Sequence, residues 1–258
     1  MMVKHPDVGV VILAAGRGTR MNNNEELPKV LIKLFDRPLV SHLLGCVQIC
    51  GAAWPPTVII GHQGERVIEI LGRDLNYVWQ DHPLGTGHAV RSCQPTLNGR
   101  FEHILVLYGD HPYVPADAID KLITEHKNQQ ADLSLMTATA TSFDGWQRAF
   151  LRYGRIVRND RGQIVKIVEY KDATQPEREI KEVNPAYFCF RSRWLWPHLT
   201  LLRNNNVQKE YYLTDLLGLA IEEGAKVVSI EIDPASALGV NTEEDLERAE
   251  LVLKNKLL

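Results

Sequence analysis

Val8 to Leu13 reads V-G-V-V-I-L, and the residues that follow, 14–21, read A-A-G-R-G-T-R-M. A nearly unbroken β-branched run is typical of a strand that is covered on both faces within a parallel sheet. The small residues after it let backbone N–H groups approach an anion closely, and such a nest stabilises a phosphate without any side chain. We therefore predict a central strand whose carboxyl end opens onto a phosphate-binding loop; the alternative is an ordinary tight turn.

Apolar runs of the same kind recur along the chain and alternate with segments of helical spacing. Strands that alternate with helices indicate βαβ units with right-handed crossovers. The sequence thus predicts an α/β fold, a three-layer, Rossmann-like and mostly parallel sheet. The further strand-like runs are residues 57–60, 103–108, 132–140 and 226–232, and the segments of helical spacing are 39–47, 67–71 and 118–123.

Past residue 140 the alternation of strands and helices ends, because no long helix separates the next strand-like segments. They are residues 155–159, 164–170 and 182–190, and N-D-R-G at 159–162 is typical of a hairpin turn. We expect a smaller β-rich insertion over one edge of the main sheet. No linker or internal repeat divides the chain, so we predict one domain.

A last helix is predicted to begin after Thr242, with Asp245 completing a variant of the capping box. The single domain of residues 1–258 then has three parts, at about 1–140, 141–240 and 242–258.

Composition and charge exclude several classes of protein. The chain has 258 residues, 45% hydrophobic and 24% charged, with a formal net charge of −3. A chain so close to neutral lacks the basic surface of a protein whose main partner is a nucleic acid. No apolar run approaches the roughly 18 residues of a membrane span. We expect a cytoplasmic protein without nucleic-acid or membrane partners, and its oligomeric state stays open.

The cysteines are Cys46, Cys50, Cys93 and Cys189, which are scattered and form no C-x-x-C pair. This argues against a disulfide framework and fits a reducing compartment. Cys46 and Cys50 are four residues apart, as in half of a zinc site, but no second pair of ligands follows. We expect them to be small buried residues of a helix.

The glycine loop matches neither of two better-known phosphate-binding sequences. Met21 stands where a dinucleotide fingerprint needs glycine or alanine, and the G-K-[ST] of a P-loop is absent. A dinucleotide oxidoreductase is therefore disfavoured. The loop instead carries Arg20, and Lys29 follows within L-P-K-V-L. Two cations beside a phosphate nest suit nucleotidyl transfer, because negative charge accumulates on the phosphorus oxygens. Each cation alone could equally be a solvated surface charge.

L-A-A-G-R-G-T-R-M followed by L-P-K-V-L resembles the signature of the sugar-1-phosphate nucleotidylyltransferases. The similarity is closest to the uridylyltransferase half of the bifunctional bacterial enzyme that makes UDP-N-acetylglucosamine. Further matches follow in the same order over about residues 8–245. They are Gln80, L-G-T-G-H-A at 84–89, Y-G-D at 108–110, Y-G-R-I at 153–156, I-V-E-Y-K-D-A at 167–173, E-V-N at 182–184, E-Y-Y-L-T-D at 210–215 and G-V-N at 239–241.

The resemblance implies a Mg²⁺-dependent transfer of a uridylyl group from UTP to a hexose 1-phosphate, giving a UDP-sugar and pyrophosphate. N-acetylglucosamine 1-phosphate is the implied acceptor. Arg20 and Lys29 are the implied catalytic cations, and Asp110 and Asn241 the implied magnesium ligands. The other implied site residues are Leu13, Ala14, Ala15, Gly16, Gly18, Gln80, Gly85 and Thr86 for the nucleotide, and Gly154, Glu169, Asn184, Tyr212 and Thr214 for the sugar phosphate.

The residue chemistry agrees with these roles. Asp110 ends a buried strand at the edge where ligands bind in open α/β sheets, and Pro112 disfavours the alternative of a helix N-cap. The Gln80 amide can donate and accept at a pyrimidine edge. Gly85 belongs either to a base-binding loop or to an ordinary turn before a helix. We expect His88 to be structural, because the reaction needs no proton relay.

Three segments depart from the family pattern. Pro185-Ala186 follows Asn184 where the family has Thr-Gly, residues 141–152 are longer than usual, and the loop 22–26 is extended. The first two flank the predicted sugar pocket and leave the identity of the sugar open. No hexapeptide repeat precedes the last residue, Leu258, so we expect neither acetyl transfer nor a trimer built by a β-helix.

Two alternatives remain. One is a cytidylyl- or thymidylyltransferase with another acceptor. The other is a catalytically silent regulatory protein that binds nucleotide sugars; such a protein would be expected to lose its metal ligands and basic residues first, and this chain has them.

Overall fold

The computed structural model describes residues 3–16 and 27–256. In these ranges the strands β1 to β12 are, in chain order, Val8–Leu13, Lys33–Leu34, Arg37–Pro38, Thr57–Ile60, Asn76–Trp79, His103–Tyr108, Leu133–Thr139, Gly154–Arg158, Ile164–Val168, Glu182–Asn184, Phe188–Arg191 and Val227–Glu231. The helices α1 to α9 are Leu39–Cys50, Gly64–Leu71, Thr86–Ser92, Gln94–Leu97, Ala116–Asn128, Gln175–Glu179, Ser192–Leu199, Asp215–Glu222 and Glu243–Lys256. Short 3₁₀ helices cover Lys29–Leu31, Gly145–Arg152 and Pro234–Ala237.

One mixed sheet of ten strands organises the molecule. Its first half, in the order β5-β4-β1-β6, is parallel throughout. β11 then runs antiparallel between β6 and β7, and β12 pairs in parallel with β7. The predicted α/β class with a mostly parallel, mixed sheet is confirmed.

The first strand is central because its side chains are buried on both faces. Val8, Val10, Val11 and Ile12 are each at most 2% exposed. Val10 and Ile12 pack in one apolar cluster with helices α1 and α5, while Val11 packs in another with α3, α7 and α8. Two helical layers therefore cover the sheet, as the continuous apolar run predicted.

The second half extends this sheet with the short antiparallel strands β10, β8 and β9. The turn predicted at residues 159–162 joins β8 to β9 and is confirmed by the Gly162 N–H donating to the Asn159 carbonyl at 2.8 Å. The single strand predicted over 182–190 is wrong, because it breaks into β10 and β11. Pro185 has no N–H to donate, and Ala186 adopts a left-handed φ of +63°.

The extended segment before β8 forms the 3₁₀ helix Gly145–Arg152, which Arg155 holds in place. Arg155 is 0% exposed, and its guanidinium donates to the carbonyls of Phe150, Leu151 and Tyr153. Burial lowers the pKa of this guanidinium to about 10. The buried cation is thus satisfied by carbonyl oxygens of the extension that precedes it.

The last helix begins as predicted. The Asp245 N–H donates to the Thr242 hydroxyl at 3.2 Å, and the Thr242 N–H donates back to the Asp245 carboxylate at 3.2 Å. Cys46 and Cys50 lie on α1, and all four cysteines are free thiols. Within the described ranges, no helix combines the length and the apolar character needed to cross a membrane.

Candidate active site

The carboxyl ends of β1 and β6 form one edge of the site. The Gly109 N–H donates to the Leu13 carbonyl at 2.9 Å, so the chain beyond β6 stays in register with the end of β1. The Ala14 N–H donates to a carbonyl of β4 at 2.9 Å, and residues 15–16 continue directly from it. The start of the predicted phosphate loop and Asp110 therefore lie at the same edge of the sheet.

A lysine ammonium joins the two predicted metal ligands. Lys29 donates from Nζ to Oδ2 of Asp110 and, at 2.8 Å, to Oδ1 of Asn241. Only the oxygen of an amide can accept from an ammonium, so this contact also fixes which way the Asn241 amide faces. The side chains of Lys29 and Asp110 are 12% and 13% exposed. The structure thus brings the predicted residues 29, 110 and 241 to one point.

Local structure explains why these three side chains meet. Lys29 opens a 3₁₀ turn whose next two residues, 30–31, are each 3% exposed and anchor the turn in the core. The Val240 N–H donates to the Asp110 carbonyl at 2.9 Å, which fixes the chain before Asn241 beside the end of β6. Asn241 itself donates from its backbone to the carboxylate that caps α9.

The Asp110 carboxylate gives this point a negative charge that a cation must balance. Burial alone would raise the pKa of Asp110, but the ammonium of Lys29, helped by His111, outweighs burial and lowers it. The carboxylate is therefore ionised at neutral pH. Because one ammonium contacts both oxygens, they converge closely enough to hold a single cation. A carboxylate and an amide oxygen, completed by phosphate oxygens and water, suit the octahedral preference of Mg²⁺. Asp110 and Asn241 fit a magnesium ion.

Two aromatic rings that were not identified from the sequence support the two predicted metal ligands. The Tyr153 hydroxyl accepts from the Gly239 N–H at 2.6 Å and donates to the Ala237 carbonyl at 3.1 Å, so it holds the segment that leads to Asn241. His111 packs against the same glycine, where a Cβ would lie 2.3 Å from its Nε2. The glycine of G-V-N and the tyrosine of Y-G-R-I were the signals that could have revealed this contact.

The predicted base-binding residues form a tight turn. The Gln80 amide nitrogen donates to the Gly85 carbonyl at 3.1 Å and is hydrogen-bonded to Nδ1 of His88 at 3.1 Å. Gly85 has a φ of +106°, and a Cβ there would lie 2.7 Å from the Tyr211 carbonyl oxygen. The glycine is therefore required by the backbone whether or not a base binds. His88 positions Gln80, in keeping with the structural role expected for it.

This turn is joined to a segment more than a hundred residues away. The Thr86 hydroxyl accepts from the Leu213 N–H at 3.0 Å, over a sequence separation of 127 residues. The Gly87 N–H donates to the Tyr211 carbonyl at 2.8 Å, and the Tyr211 N–H donates to the Leu84 carbonyl at 2.8 Å. The motifs L-G-T-G-H-A and E-Y-Y-L-T-D thus form one wall.

Four of the predicted sugar-phosphate residues lie together on the antiparallel half. Gly154 and Asn184 are register partners in β8 and β10. A Cβ at position 154 would lie 3.4 Å from Oε1 of Glu169, and Thr214 donates from its hydroxyl to that same oxygen at 3.0 Å. Asn184 is 5% exposed, and its Oδ1 accepts from the Ala186 N–H at 2.9 Å.

The fifth predicted sugar-phosphate residue, Tyr212, joins this group through Asp172. Its hydroxyl accepts from Gln208 at 2.9 Å and donates to Asp172 at 3.4 Å, and burial raises its pKa to about 12. Burial also raises the pKa of Glu169; the hydrogen bond from Thr214 opposes this shift, while the charge of Asp172 adds to it. The five residues and Asp172 therefore form a polar group that contains two carboxylates.

Tyr108, which the sequence reasoning quoted without giving it a role, lies between the two halves of the site. It is the last residue of β6, its hydroxyl is hydrogen-bonded with Thr86, and the charges of Glu169 and Asp110 both act on it. Burial raises its pKa well above the ordinary value, so the phenol stays neutral. Its place in the Y-G-D motif was the available signal.

Two predicted site residues, Gly18 and Arg20, lie outside the described residues, as does the extended loop 22–26. Their predicted roles stay predictions.

Sequence comparison identifies relatives over almost the whole chain. The bifunctional protein GlmU of Brevibacillus brevis is 38% identical over 252 residues, covering 97% of this chain and 52% of that protein. The proteins of the same name from Staphylococcus carnosus and Halalkalibacterium halodurans are 39% and 40% identical over 248 residues, with 96% and 52% coverage. The chain spans about half the length of these curated relatives.

Structural comparison shows the same fold in solved nucleotidyltransferases. A candidate glucose-1-phosphate thymidylyltransferase from Bacillus anthracis, solved with sucrose, matches with a TM-score of 0.75, 19% identity and 96% coverage of each chain. A UDP-glucose pyrophosphorylase solved with UDP-glucose matches with a TM-score of 0.73 and 16% identity, covering 97% of this chain and 99% of the other. Residues 10–213 match the MobA-like NTP transferase domain. The chain therefore belongs to the MobA-like NTP transferase family.

Proposed function

We propose that this protein transfers a uridylyl group from UTP to a hexose 1-phosphate, with N-acetylglucosamine 1-phosphate as the preferred acceptor and magnesium as the metal. The observation that carries the proposal is the convergence of Lys29, Asp110 and Asn241 at the carboxyl edge of the parallel strands. The free state of all four cysteines agrees with a cytoplasmic site for the reaction.

The reaction needs positioning and charge neutralisation more than it needs a protein nucleophile. An oxygen of the sugar phosphate forms a bond to the α-phosphorus of UTP, and the bond from that phosphorus to the departing pyrophosphate breaks with its electron pair. The attacking phosphate is already anionic, so no protein base is required. Asp110 and Asn241 would hold the magnesium ion, which when bound would offset charge on the reacting phosphates. Lys29 and Arg20 neutralise the leaving pyrophosphate.

The antiparallel half supplies the acceptor site in this proposal. Glu169 and Asn184 form hydrogen bonds with ring hydroxyls, and Gly154 lets Ile167 and Glu169 pack close to the backbone, since a Cβ there would lie 3.0 Å and 3.4 Å from them. A buried polar site of this kind discriminates strongly against acceptors that leave its groups unpaired. Tyr212 and Thr214 complete the pocket on the side of the sugar phosphate.

A second candidate is a nucleotidyltransferase with another nucleotide or acceptor. The solved structures with the same fold carry names that include thymidylyltransferase and UDP-glucose pyrophosphorylase. In addition, Pro185-Ala186 and the segment 141–152, which flank the predicted sugar pocket, depart from the family pattern. These observations keep dTTP, CTP and unsubstituted glucose 1-phosphate among the substrates to be compared.

Pyrophosphate release across a substrate panel tests the proposal. UTP, dTTP, CTP, ATP and GTP are each combined with N-acetylglucosamine 1-phosphate, glucosamine 1-phosphate and glucose 1-phosphate, with and without magnesium. We expect the highest kcat/KM with UTP and N-acetylglucosamine 1-phosphate and no release without a divalent metal. A preference for another pair would replace the proposed substrates, and no release with any pair would favour the catalytically silent regulatory protein.

A further inference from the structure

We propose that Lys29 holds the place of the metal until nucleotide binds and leaves it when nucleotide and metal bind together. The inference rests on the proposed function, because it concerns the same magnesium ligands. It adds a step that the proposed reaction does not require: an internal cation must be exchanged for the metal before the site can work.

The geometry places the ammonium where a metal would have to bind. Lys29 Nζ contacts Asp110 Oδ2 and lies 2.8 Å from Asn241 Oδ1, and Asp110 and Asn241 are the two residues proposed to hold the metal. An ion that coordinates both oxygens must lie between them, and the ammonium already lies there. The two cations therefore exclude each other sterically as well as by charge.

The surroundings make this exchange costly unless the ammonium gains another partner. The Lys29 side chain is only 12% exposed, and its turn is anchored by buried residues 30–31. Among the described residues, Asp110 is the carboxylate that forms an ion pair with it. A partly buried ammonium that loses its carboxylate without replacement is strongly destabilised. The phosphates of a nucleoside triphosphate supply that replacement.

Metal and nucleotide binding then depend on each other through Lys29. Without nucleotide, the metal competes with the ammonium and binds weakly. With nucleotide, the ammonium moves to the phosphates and the two oxygens become available to the metal. By thermodynamic reciprocity, the metal also strengthens nucleotide binding by the same factor.

The test is a direct measurement of metal binding, with Mn²⁺ as the probe and the full chain as the sample. Free Mn²⁺ is followed by electron paramagnetic resonance for the wild type, Lys29→Met and Lys29→Arg. In the absence of nucleotide we expect Lys29→Met to bind Mn²⁺ at least about tenfold more tightly than the wild type, because a charge a few ångströms from the ion is removed. Lys29→Arg keeps a cation and is expected to bind as weakly as the wild type.

A control is Lys166→Met, since Lys166 likewise forms an ion pair with a carboxylate, that of Glu177, at 2.6 Å. We expect its Mn²⁺ affinity to stay within about twofold of the wild type. Adding the non-reacting α,β-methylene analogue of UTP should strengthen Mn²⁺ binding by a larger factor in the wild type than in Lys29→Met. Circular dichroism and a thermal unfolding curve check that each variant is folded.

The inference would be overturned if Lys29→Met bound Mn²⁺ no more tightly than the wild type. It would also be overturned if Lys29→Met showed no detectable binding at millimolar Mn²⁺. Lys29→Gln repeats the measurement with a polar side chain if the methionine variant does not fold. These outcomes are separate from the failure of the proposed function. An active pyrophosphate panel combined with unchanged Mn²⁺ affinity contradicts only the role of Lys29, whereas an inactive panel contradicts the proposed reaction.

Discussion

Asp110 and Glu169 are carboxylates that follow strands of one sheet and act on the same tyrosine, yet their surroundings shift their pKa values in opposite directions. Burial disfavours the ionised form of both. At Asp110 the ammonium of Lys29 outweighs burial and lowers the pKa. At Glu169 the described partner is the hydroxyl of Thr214, which only partly opposes burial, so the pKa is raised.

The proposed function gives the two halves of the sheet different chemistries. The parallel half pairs its carboxylate with a cation, and the same oxygens suit a metal and its phosphates. The antiparallel half surrounds its carboxylate with neutral donors and further acids, an arrangement that suits the hydroxyl groups of a sugar. The boundary between the proposed metal site and the proposed sugar site coincides with the change in strand direction between β6 and β11.

The largest effect is expected when the cation of the parallel half is removed. Lys29→Ala should lower kcat/KM for nucleotidyl transfer about a hundred- to a thousandfold, the usual loss for one charge-stabilising contact in a transition state. The matched control is Lys127→Ala, which removes an ammonium paired with Asp7 and should change the rate less than about twofold. A loss below tenfold in Lys29→Ala would remove Lys29 from the mechanism.

Replacing Glu169, the carboxylate of the antiparallel half, should weaken only the binding of the acceptor. Glu169→Gln is expected to raise KM for the sugar 1-phosphate by about tenfold or more and to leave KM for UTP unchanged, because a hydrogen bond to a charged group contributes about 1.5 to 3 kcal/mol. Steady-state kinetics with each substrate varied separately measure this. Glu125→Gln, on the surface of α5, is the control. An equal rise in both KM values would contradict the division between the two halves.

The opposite pKa shifts predict different pH dependences of stability. Burial holds the pKa of Glu169 in the folded protein above its ordinary value of 4.5, so its proton favours the folded state; that stabilisation is complete below pH 4.5 and is lost as the pH rises through the folded pKa. The advantage of the wild type over Glu169→Gln should therefore shrink as the pH rises above 4.5, by at most about 1.4 kcal/mol per pH unit.

Asp110 has a folded pKa below its ordinary value of 3.8, so its contribution to stability is complete above pH 3.8 and is lost only as the pH falls through the folded pKa. The difference between the wild type and Asp110→Asn should stay flat from pH 4.5 to 7.5. Urea unfolding of the three proteins over this range measures both slopes. Parallel slopes for the two variants would show that the shifts are not opposite.

The smallest effect concerns the backbone beside the sugar site. Ala186 has a φ of +63°, a conformation that costs a residue with a side chain roughly 1 to 2 kcal/mol. Ala186→Gly should stabilise the protein by less than about 1 kcal/mol, since glycine also gains freedom in the unfolded chain. Ala118→Gly, inside α5, should instead lose about 0.5 to 1 kcal/mol. Loss of stability in both variants would contradict the left-handed backbone at 186.

The sequence predicts the parallel half more completely than the antiparallel half. The runs at 57–60 and 103–108 have the bounds of β4 and β6, because buried parallel strands are continuous apolar segments between polar turns. Their carboxyl ends meet at one edge, so Asp110 could be assigned to the site from its place in the chain.

The rest depends on approaches between distant segments that no local pattern encodes. The break at Pro185 follows from the left-handed residue after it, and the contact of His111 with Gly239 follows from how the loop before α9 packs. The hydrogen bonds from Lys29 to Asp110 and Asn241 also join segments that are distant in the sequence. Its contacts lie 81 and 212 residues away in the chain, and only the folded arrangement shows that one ammonium reaches both.

The most direct test of the central claim is a crystal structure of the protein with Mn²⁺ and the α,β-methylene analogue of UTP, with the metal located by its anomalous scattering. We expect one peak at coordination distance from the Asp110 carboxylate and the Asn241 amide oxygen, with the Lys29 ammonium moved onto the phosphates. A nucleotide bound at this edge with the metal elsewhere, or with Lys29 still between residues 110 and 241, would contradict the account.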